Sequence, residues 1–386
     1  MSSGNLFLKL ANPGVDSLPV YEPGKPLSEA ARELGFASED DLVKLASNEN
    51  ALGPSPLAEE AMQAAAGRMH RYPDGGAFHL RRALAQKLEI EPDMVMLGNG
   101  SNELIELIGQ VFLGPDRSLV VSEGAFVIYR MVATKLHARV LAAPMKHLTH
   151  DPDAMLAAIE PDTRLVFFAN PNNPTGTLVD GAALDRFVER LPDHVAVCFD
   201  EAYVELLEPE AQPDLIKHVR RGRPVMLLRT FSKTYGLAGL RIGYAVAPPD
   251  AIALFHRVRQ PFNVNAMAQA AALAALGDEA HINRTRSVIR AGADFLMHKL
   301  DNMGIPFAPS PTNFMLVEVG DGRRVFETLM RQGVIVRPME GYGLPRYIRV
   351  TVGTMEENKK LIQALGLAMN GANPQAGGPC PPGNRP

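Results

Sequence analysis

The chain holds two cysteines in 386 residues, Cys198 and Cys380. That is too few for a disulfide framework, neither has metal-ligand company, and no metal site is expected. Cys198 stands in an apolar run, where a thiol serves as a small buried hydrophobe. A basic excess is also missing. Net charge is -4 with Lys and Arg scattered, which excludes a nucleic-acid footprint and leaves Arg220-Arg221 as a solvated helix end. No apolar stretch approaches the ~20 residues that a bilayer requires, the longest Ala-rich one being Ala266 to Leu276. The opening Met1-Ser2-Ser3-Gly4-Asn5 lacks a basic segment followed by an apolar one, so no secretory signal is expected and the expected location is cytoplasmic. There is no internal repeat.

What the chain does have is 46% hydrophobic and 21% charged residues, an ordinary globular balance, and a length that suits one large domain with a smaller companion. Short apolar runs alternate with helical patterns, the mark of strand-helix units in a mainly parallel sheet. The candidate strands are Met94 to Leu97, Ser118 to Ser122, Ala138 to Leu141, Leu165 to Ala169, Val195 to Phe199, Val225 to Arg229 and Gly243 to Ala247. Between and around them lie candidate helices, among them Leu57 to Ala66, Ala77 to Leu88, Glu103 to Phe112, Tyr129 to Lys135, Gly181 to Arg190 and Ala266 to Leu276. After about residue 280 a long charged helix, Ile282 to Leu300, leads into strands Phe314 to Val319, Val334 to Val336 and Tyr347 to Thr351. The expected division is an N-terminal arm over 1–45, a large α/β domain over 46–280, a smaller α+β domain over 281–370 and a disorder-prone Pro/Gly tail over 371–386.

Three segments carry chemistry. The first is Thr230-Phe231-Ser232-Lys233-Thr234 with Arg241 eight residues beyond the lysine. Cationic or desolvating surroundings would lower the pKa of such an amine far enough to make it a nucleophile. The second is Asp200-Glu201-Ala202-Tyr203, which follows an apolar run and so places a carboxylate at the carboxyl end of a buried strand. Ligands of open α/β sheets collect there, although an aspartate in that position also reads as a helix cap. The third is Asn170-Pro171-Asn172-Asn173-Pro174-Thr175-Gly176, locally a turn built from turn formers, whose Asn173 becomes a candidate amide donor beside Asp200. Between a strand and a helix, Gly98-Asn99-Gly100-Ser101-Asn102-Glu103 lets backbone N–H groups converge on an anion. It lacks the Gly-Lys-Ser/Thr ending of a P-loop. An amine, an acid, a phenol, an amide and an anion cup are the groups needed to hold pyridoxal phosphate.

With these motifs the chain resembles the fold-type I pyridoxal-phosphate-dependent aminotransferases, and within them the histidinol-phosphate aminotransferases, from about Leu45 to Leu367. Further signatures are Leu45-Ala46-Ser47-Asn48-Glu49-Asn50, Arg71-Tyr72-Pro73, Val336-Arg337-Pro338-Met339, Gly341-Tyr342-Gly343-Leu344-Pro345 and Ile348-Arg349-Val350-Thr351. The resemblance implies a mainly parallel seven-stranded sheet in the large domain. It implies Lys233 as the Schiff-base lysine, Asp200 as partner of the cofactor's ring nitrogen, and Asn173 with Tyr203 as partners of its ring oxygen. Phe126 would stack on the ring. The phosphate would rest on Gly100, Ser101 and Asn102, on Thr230 and Ser232, and on Arg241. Tyr72 would reach the phosphate in a neighbouring subunit, making the active unit a homodimer. On the substrate side, Arg349 would meet a carboxylate, for which a forked guanidinium is well shaped, while Arg337, Tyr21 and Asn48 would complete the pocket. Two departures stand out: Asn102 where relatives often carry Asp or Glu, and Gly124-Ala125 before Phe126.

The activity so implied is transamination between glutamate and imidazole-acetol phosphate, giving 2-oxoglutarate and histidinol phosphate, a step of histidine biosynthesis. An aromatic or broad-specificity aminotransferase is the alternative on the same scaffold. A decarboxylase of the threonine-phosphate type is a further relative. A regulatory module without turnover would usually carry an added DNA-binding domain, and no basic helix-turn-helix pattern occurs before Leu45.

Overall fold

The computed structural model describes residues 10–11, 15 and 27–370. The expectations for Tyr21, for most of the N-terminal arm and for the tail from residue 371 lie outside these described residues. Seven strands form the large sheet: β1 (Val95–Gly98), β2 (Ser118–Ser122), β3 (Arg139–Ala143), β4 (Thr163–Ala169), β5 (Ala196–Asp200), β6 (Val225–Thr230) and β7 (Gly243–Val246). All seven coincide with apolar runs seen in the sequence, their ends shifted by at most two residues. The spatial order is β1-β7-β6-β5-β4-β2-β3. Every pair is parallel except those of β7, which runs antiparallel to both β1 and β6.

Both faces of this sheet are covered, so its strands read as unbroken apolar runs rather than alternating ones. The two-residue period instead sorts side chains between two cores. Val166, Phe168, Val197 and Phe199 enter one, while Leu165, Phe167, Ala196 and Cys198 enter the other. Edge strand β3 is the exception. Its Arg139 is exposed and pairs with Glu160 and Asp162, and charge on an edge discourages strand addition. The strand order reverses between β4 and β2, and β4, β5 and β6 end side by side at that crevice. A ligand site is expected there from topology alone.

Helix α1 (Gly100–Phe112) begins three residues before the expected Glu103. Its start is set by Gly100, whose φ of +76° suits a residue without Cβ, and by the Glu103 carboxylate accepting from the Asn99 N–H. Helix α2 (Val127–Lys135) follows β2. Helix Pro249–Val258 has no counterpart among the sequence expectations. Its two opening prolines, 248 and 249, look like a loop but are compatible with a first helical turn, where no intrahelical N–H is required.

Beyond the large sheet, α3 (Glu279–Asn302) crosses to a four-stranded antiparallel sheet of order β8-β9-β11-β10, with β8 (Phe307–Ala308), β9 (Phe314–Glu318), β10 (Arg337–Pro338) and β11 (Tyr347–Thr351). Its apolar face packs with Leu296 and Leu300 of α3 and with Leu361 and Leu365 of the closing helix. The strand expected at Val334 to Val336 does not join this sheet. Val334–Ile335 pairs in parallel with Val43–Lys44 instead. That pairing and helix Leu27–Leu34, whose Ala30 and Ala31 pack on Leu42, Ala46 and Ile335, seat the incoming chain on the C-terminal unit. Among the described residues no helix is long and apolar enough to cross a membrane.

Phe168 lies at the centre of the first core, with ring centroids 5.4 Å from Phe187 and 5.5 Å from Phe199. Truncation there leaves a cavity that rigid strands cannot fill. Phe168→Ala is expected to cost about 3–5 kcal/mol, read as a lower urea midpoint at unchanged slope. Arg139→Ala on the solvated edge should leave the midpoint nearly where it was.

Candidate active site

At the carboxyl ends of β4, β5 and β6 lies a cavity of about 410 Å³. Of the residues singled out from sequence, Asn48, Ser101, Asn102, Phe126, Asn173, Asp200, Tyr203, Thr230, Ser232, Lys233, Arg241, Arg337 and Arg349 all line it. They come from eight separate stretches of chain. Gly100 stands behind this lining with Arg241 lying across it. A Cβ at Gly100 would sit 2.7 Å from Arg241 Nη2.

Asp200 is the last residue of β5 and is buried. Burial pushes its carboxyl up to about 6, opposed by a hydrogen bond from the Tyr129 hydroxyl and another from the Ala202 N–H. Tyr129 Oη donates to Oδ2 at 2.7 Å, and Ala202 N donates to Oδ1 at 3.2 Å. Lys233 follows β6 on a tight loop closed by Gly236 N donating to Lys233 O and Leu237 N donating to Phe231 O. Gly236 has φ +70°, and a Cβ there would lie 2.2 Å from Gly53 O, so a glycine is required where the two loops touch. Lys233 Nζ donates to Ser47 O at 3.1 Å. Burial brings this amine down to about 7, helped by the nearby Arg349 and Arg241 guanidinium groups and resisted by Glu49 and Asp200. The two groups are thus displaced toward each other by one cause, loss of water around the charged form.

Around them the other donors are fixed. Tyr203 Oη accepts from Asn48 Nδ2 at 2.9 Å, and burial pushes the phenol up to about 12. Asn173 Oδ1 accepts from Arg349 Nη1 at 2.6 Å, and Arg349 Nη2 donates to Ala46 O at 2.8 Å. Arg337 faces Arg349 as its register partner on the neighbouring strand, so two guanidinium groups enter the cavity from one small sheet. On the opposite side, the first turn of α1 offers the amides of Ser101 and Asn102, with the hydroxyls of Thr230 and Ser232 hydrogen-bonded to each other at 3.0 Å. An N-terminal helical turn with a nearby guanidinium suits a phosphate group. A buried carboxylate suits a cationic ring N–H, and an amine near neutrality suits attack on a carbonyl.

Tyr72 does not line the cavity; it is 83% exposed and stacks on Phe262 with centroids 4.8 Å apart. Tyr21 lies outside the described residues. Sequence reasoning passed over Tyr129, Ser47, Glu49 and Tyr342, which do line it. Tyr129 gave one readable signal: it stands three residues after Phe126, one helical turn along the same face.

The model for class I and II aminotransferases matches residues 40–365. Histidinol-phosphate aminotransferase 1 of Cupriavidus pinatubonensis is 49% identical over 92% of this chain and 95% of its own length. The histidinol-phosphate aminotransferase of Moorella thermoacetica is 46% identical over 90% of each. Among solved structures, histidinol-phosphate aminotransferase from Sinorhizobium meliloti in complex with pyridoxal-5'-phosphate superimposes with a TM-score of 0.85, at 28% identity over 94% of this chain and 98% of that one. Aspartate aminotransferase of Thermus thermophilus, at 23% identity and a TM-score of 0.80, shares the fold.

An amine brought down to about 7 is half neutral at neutral pH, whereas an ordinary lysine is neutral in roughly one molecule per thousand. In cofactor-free protein, trinitrophenylation of Lys233 followed by peptide mapping should rise through a midpoint near pH 7. A midpoint in the ordinary lysine range would refute the burial argument.

Proposed function

The chain belongs to the class I and II aminotransferases and, within them, to the histidinol-phosphate aminotransferases, and from that premise we propose that it transfers an amino group from glutamate to imidazole-acetol phosphate, yielding 2-oxoglutarate and histidinol phosphate for histidine biosynthesis. The observation that carries this reading is the placement of Arg337 and Arg349 in one cavity with Lys233 and Asp200. Each substrate carries an anionic group, the carboxylates of glutamate and the phosphate of imidazole-acetol phosphate, and a fixed cation suits each. The cofactor is pyridoxal phosphate, which the donor set fits: a helix-start cup for its phosphate, a buried acid for its ring nitrogen, and a part-neutral amine for its aldehyde. When bound, it supplies an electrophilic carbon for amines and a cationic ring that takes up the electrons of a deprotonated α-carbon.

In this reading each side chain has a role. Ser101, Asn102, Thr230, Ser232 and Arg241 would hold the cofactor's phosphate, Asp200 would keep a proton on its ring nitrogen, Asn173 and Tyr203 would orient its ring oxygen, and Phe126 would pack against its ring. Lys233 Nζ would take the α-proton of the bound amine; its lowered pKa keeps the group able to accept a proton near pH 7. Arg349, held in advance by Asn173 and Ala46 O, binds the carboxylate of glutamate as a fork. Arg337, with Asn48 in the same cavity, receives the phosphate of the second substrate, and the role expected for Tyr21 lies outside the described residues.

The same reading assigns residues 46–280 to cofactor binding and 281–370 to a smaller substrate-facing domain. It makes the working unit a homodimer, located in the cytoplasm. The exposed Tyr72-Phe262 stack is well suited to an interface, where aromatic residues are enriched, and from there Tyr72 reaches the partner's phosphate.

Rapid mixing of the yellow holoprotein with histidinol phosphate or glutamate should convert its visible absorbance in a single turnover, with phenylalanine a much poorer donor. Equal rates with phenylalanine and histidinol phosphate would replace this reading by a broad aromatic aminotransferase. Lys233→Ala should slow proton transfer by roughly 10²- to 10⁴-fold. Arg337→Ala should raise KM for the phosphorylated substrate by about ten- to a hundredfold while sparing the glutamate half-reaction.

A further inference from the structure

We propose that Tyr129 is a positioning residue for this reaction: its hydroxyl fixes the Asp200 carboxylate and thereby places the shared proton on the cofactor's ring nitrogen. The inference rests on the aminotransferase reading above. It starts from a bond unrelated to any motif. Tyr129 is fully buried in the first turn of α2, and its hydroxyl donates to Asp200 Oδ2 at 2.7 Å. The ring cannot swing aside. It is stacked on Phe167 with centroids 4.6 Å apart and planes 9° apart, and Phe126 meets it edge-on at 5.7 Å.

A proton shared by a carboxylate and a pyridine nitrogen resides on the more basic of the two. Burial makes Asp200 more basic, and the adjacent Glu201 adds to this. Against it stand the Tyr129 hydroxyl, the Ala202 N–H and Lys233, with Tyr129 the strongest of the three. Burial and Asp200 itself push the Tyr129 phenol well above its ordinary range, so it remains a donor at neutral pH. Removing it would return the proton to Asp200, leaving a neutral ring that absorbs electrons poorly. The same helix start carries Phe126, so one turn of α2 provides both the proposed ring cover and the control of ring charge. A tyrosine that merely filled the core would affect stability without affecting the ring.

Tyr129→Phe keeps the stacked ring and deletes the bond. In holoprotein loaded with ¹⁵N-labelled pyridoxal phosphate, the nitrogen resonance should move from the pyridinium toward the neutral position. In the same variant kcat should fall roughly ten- to a hundredfold, the worth of a hydrogen bond to a charged group, with KM for glutamate unchanged. A wild-type resonance together with wild-type kcat would overturn the proposal. Should this variant not fold, 3-fluorotyrosine at position 129, a stronger donor of nearly the same shape, decides the matter. The ¹³C titration midpoint of the Asp200 carboxyl in cofactor-free protein should then drop, and an unmoved midpoint overturns the proposal. Wild-type protein that takes up no pyridoxal phosphate would instead sink the functional reading on which this one rests.

Discussion

Loss of water around Asp200 and Lys233 is the constraint from which the rest of the cavity follows. Each group alone would be costly to bury charged. Together they lie in one cleft with the acid raised to about 6 and the amine lowered to about 7. One cause thus moves both groups toward neutrality, the acid up and the amine down, and a lowered amine is what acid-base chemistry on a carbon acid at neutral pH requires. The large sheet contributes by burying both faces, which leaves the carboxyl ends of β4, β5 and β6 to line the cavity.

One short segment, Leu45 to Asn50, bonds to both the C-terminal unit and the loop that carries Lys233. On its C-terminal-unit side, Thr351 N donates to Leu45 O, Asn313 Nδ2 to Asn48 O and Arg349 Nη2 to Ala46 O. On the other side, Ser47 O accepts from Lys233 Nζ and Asn50 Nδ2 donates to Thr234 O. Residues of this one segment therefore bond both to the C-terminal unit and to the lysine loop. A shift between the units would be felt at Lys233 through bonds within one turn of chain. The motif is polar because its work is done by backbone carbonyls and amide side chains, even though Asn48 is buried.

Much of this arrangement was legible beforehand, and for physical reasons. Strands buried on both faces must be apolar throughout, so all seven could be located, and residues just past their carboxyl ends were natural site candidates. Thirteen of the chemistry-bearing side chains chosen on that logic and on family resemblance do line the cavity. Features set by tertiary contact were harder to read. Helix Pro249–Val258 begins with residues that mark loops, and helix Gly322–Arg331 opens on a glycine and is capped by Asp321. Val334–Ile335 has strand character, but its choice of Val43–Lys44 as partner is a long-range matter. Tyr129 is a tyrosine in an apolar helix start. Its spacing from Phe126 places it near the site, but nothing local announces that a carboxylate 71 residues away will accept its hydrogen bond.

The two arginines show how the fold divides labour between similar groups. Arg349 is 7% exposed, donates to Asn173 Oδ1 and Ala46 O, and lies 5.4 Å from the centre of the Phe314 ring. Its fork is already oriented, so a carboxylate that binds it loses little to reorganisation. Arg337, its register partner, is only partly buried on the outermost strand of the small sheet, where its guanidinium is more accessible to a ligand. Because Asn173 is bonded to Arg349 and is also the proposed partner of the cofactor's ring oxygen, the depth at which a substrate carboxylate settles is tied to the orientation of the ring. A glutamate that failed to seat its carboxylate would then present its α-hydrogen to Lys233 at the wrong angle. Selection in such a cleft acts through geometry at the reacting carbon as much as through affinity, and it does so through a single amide side chain.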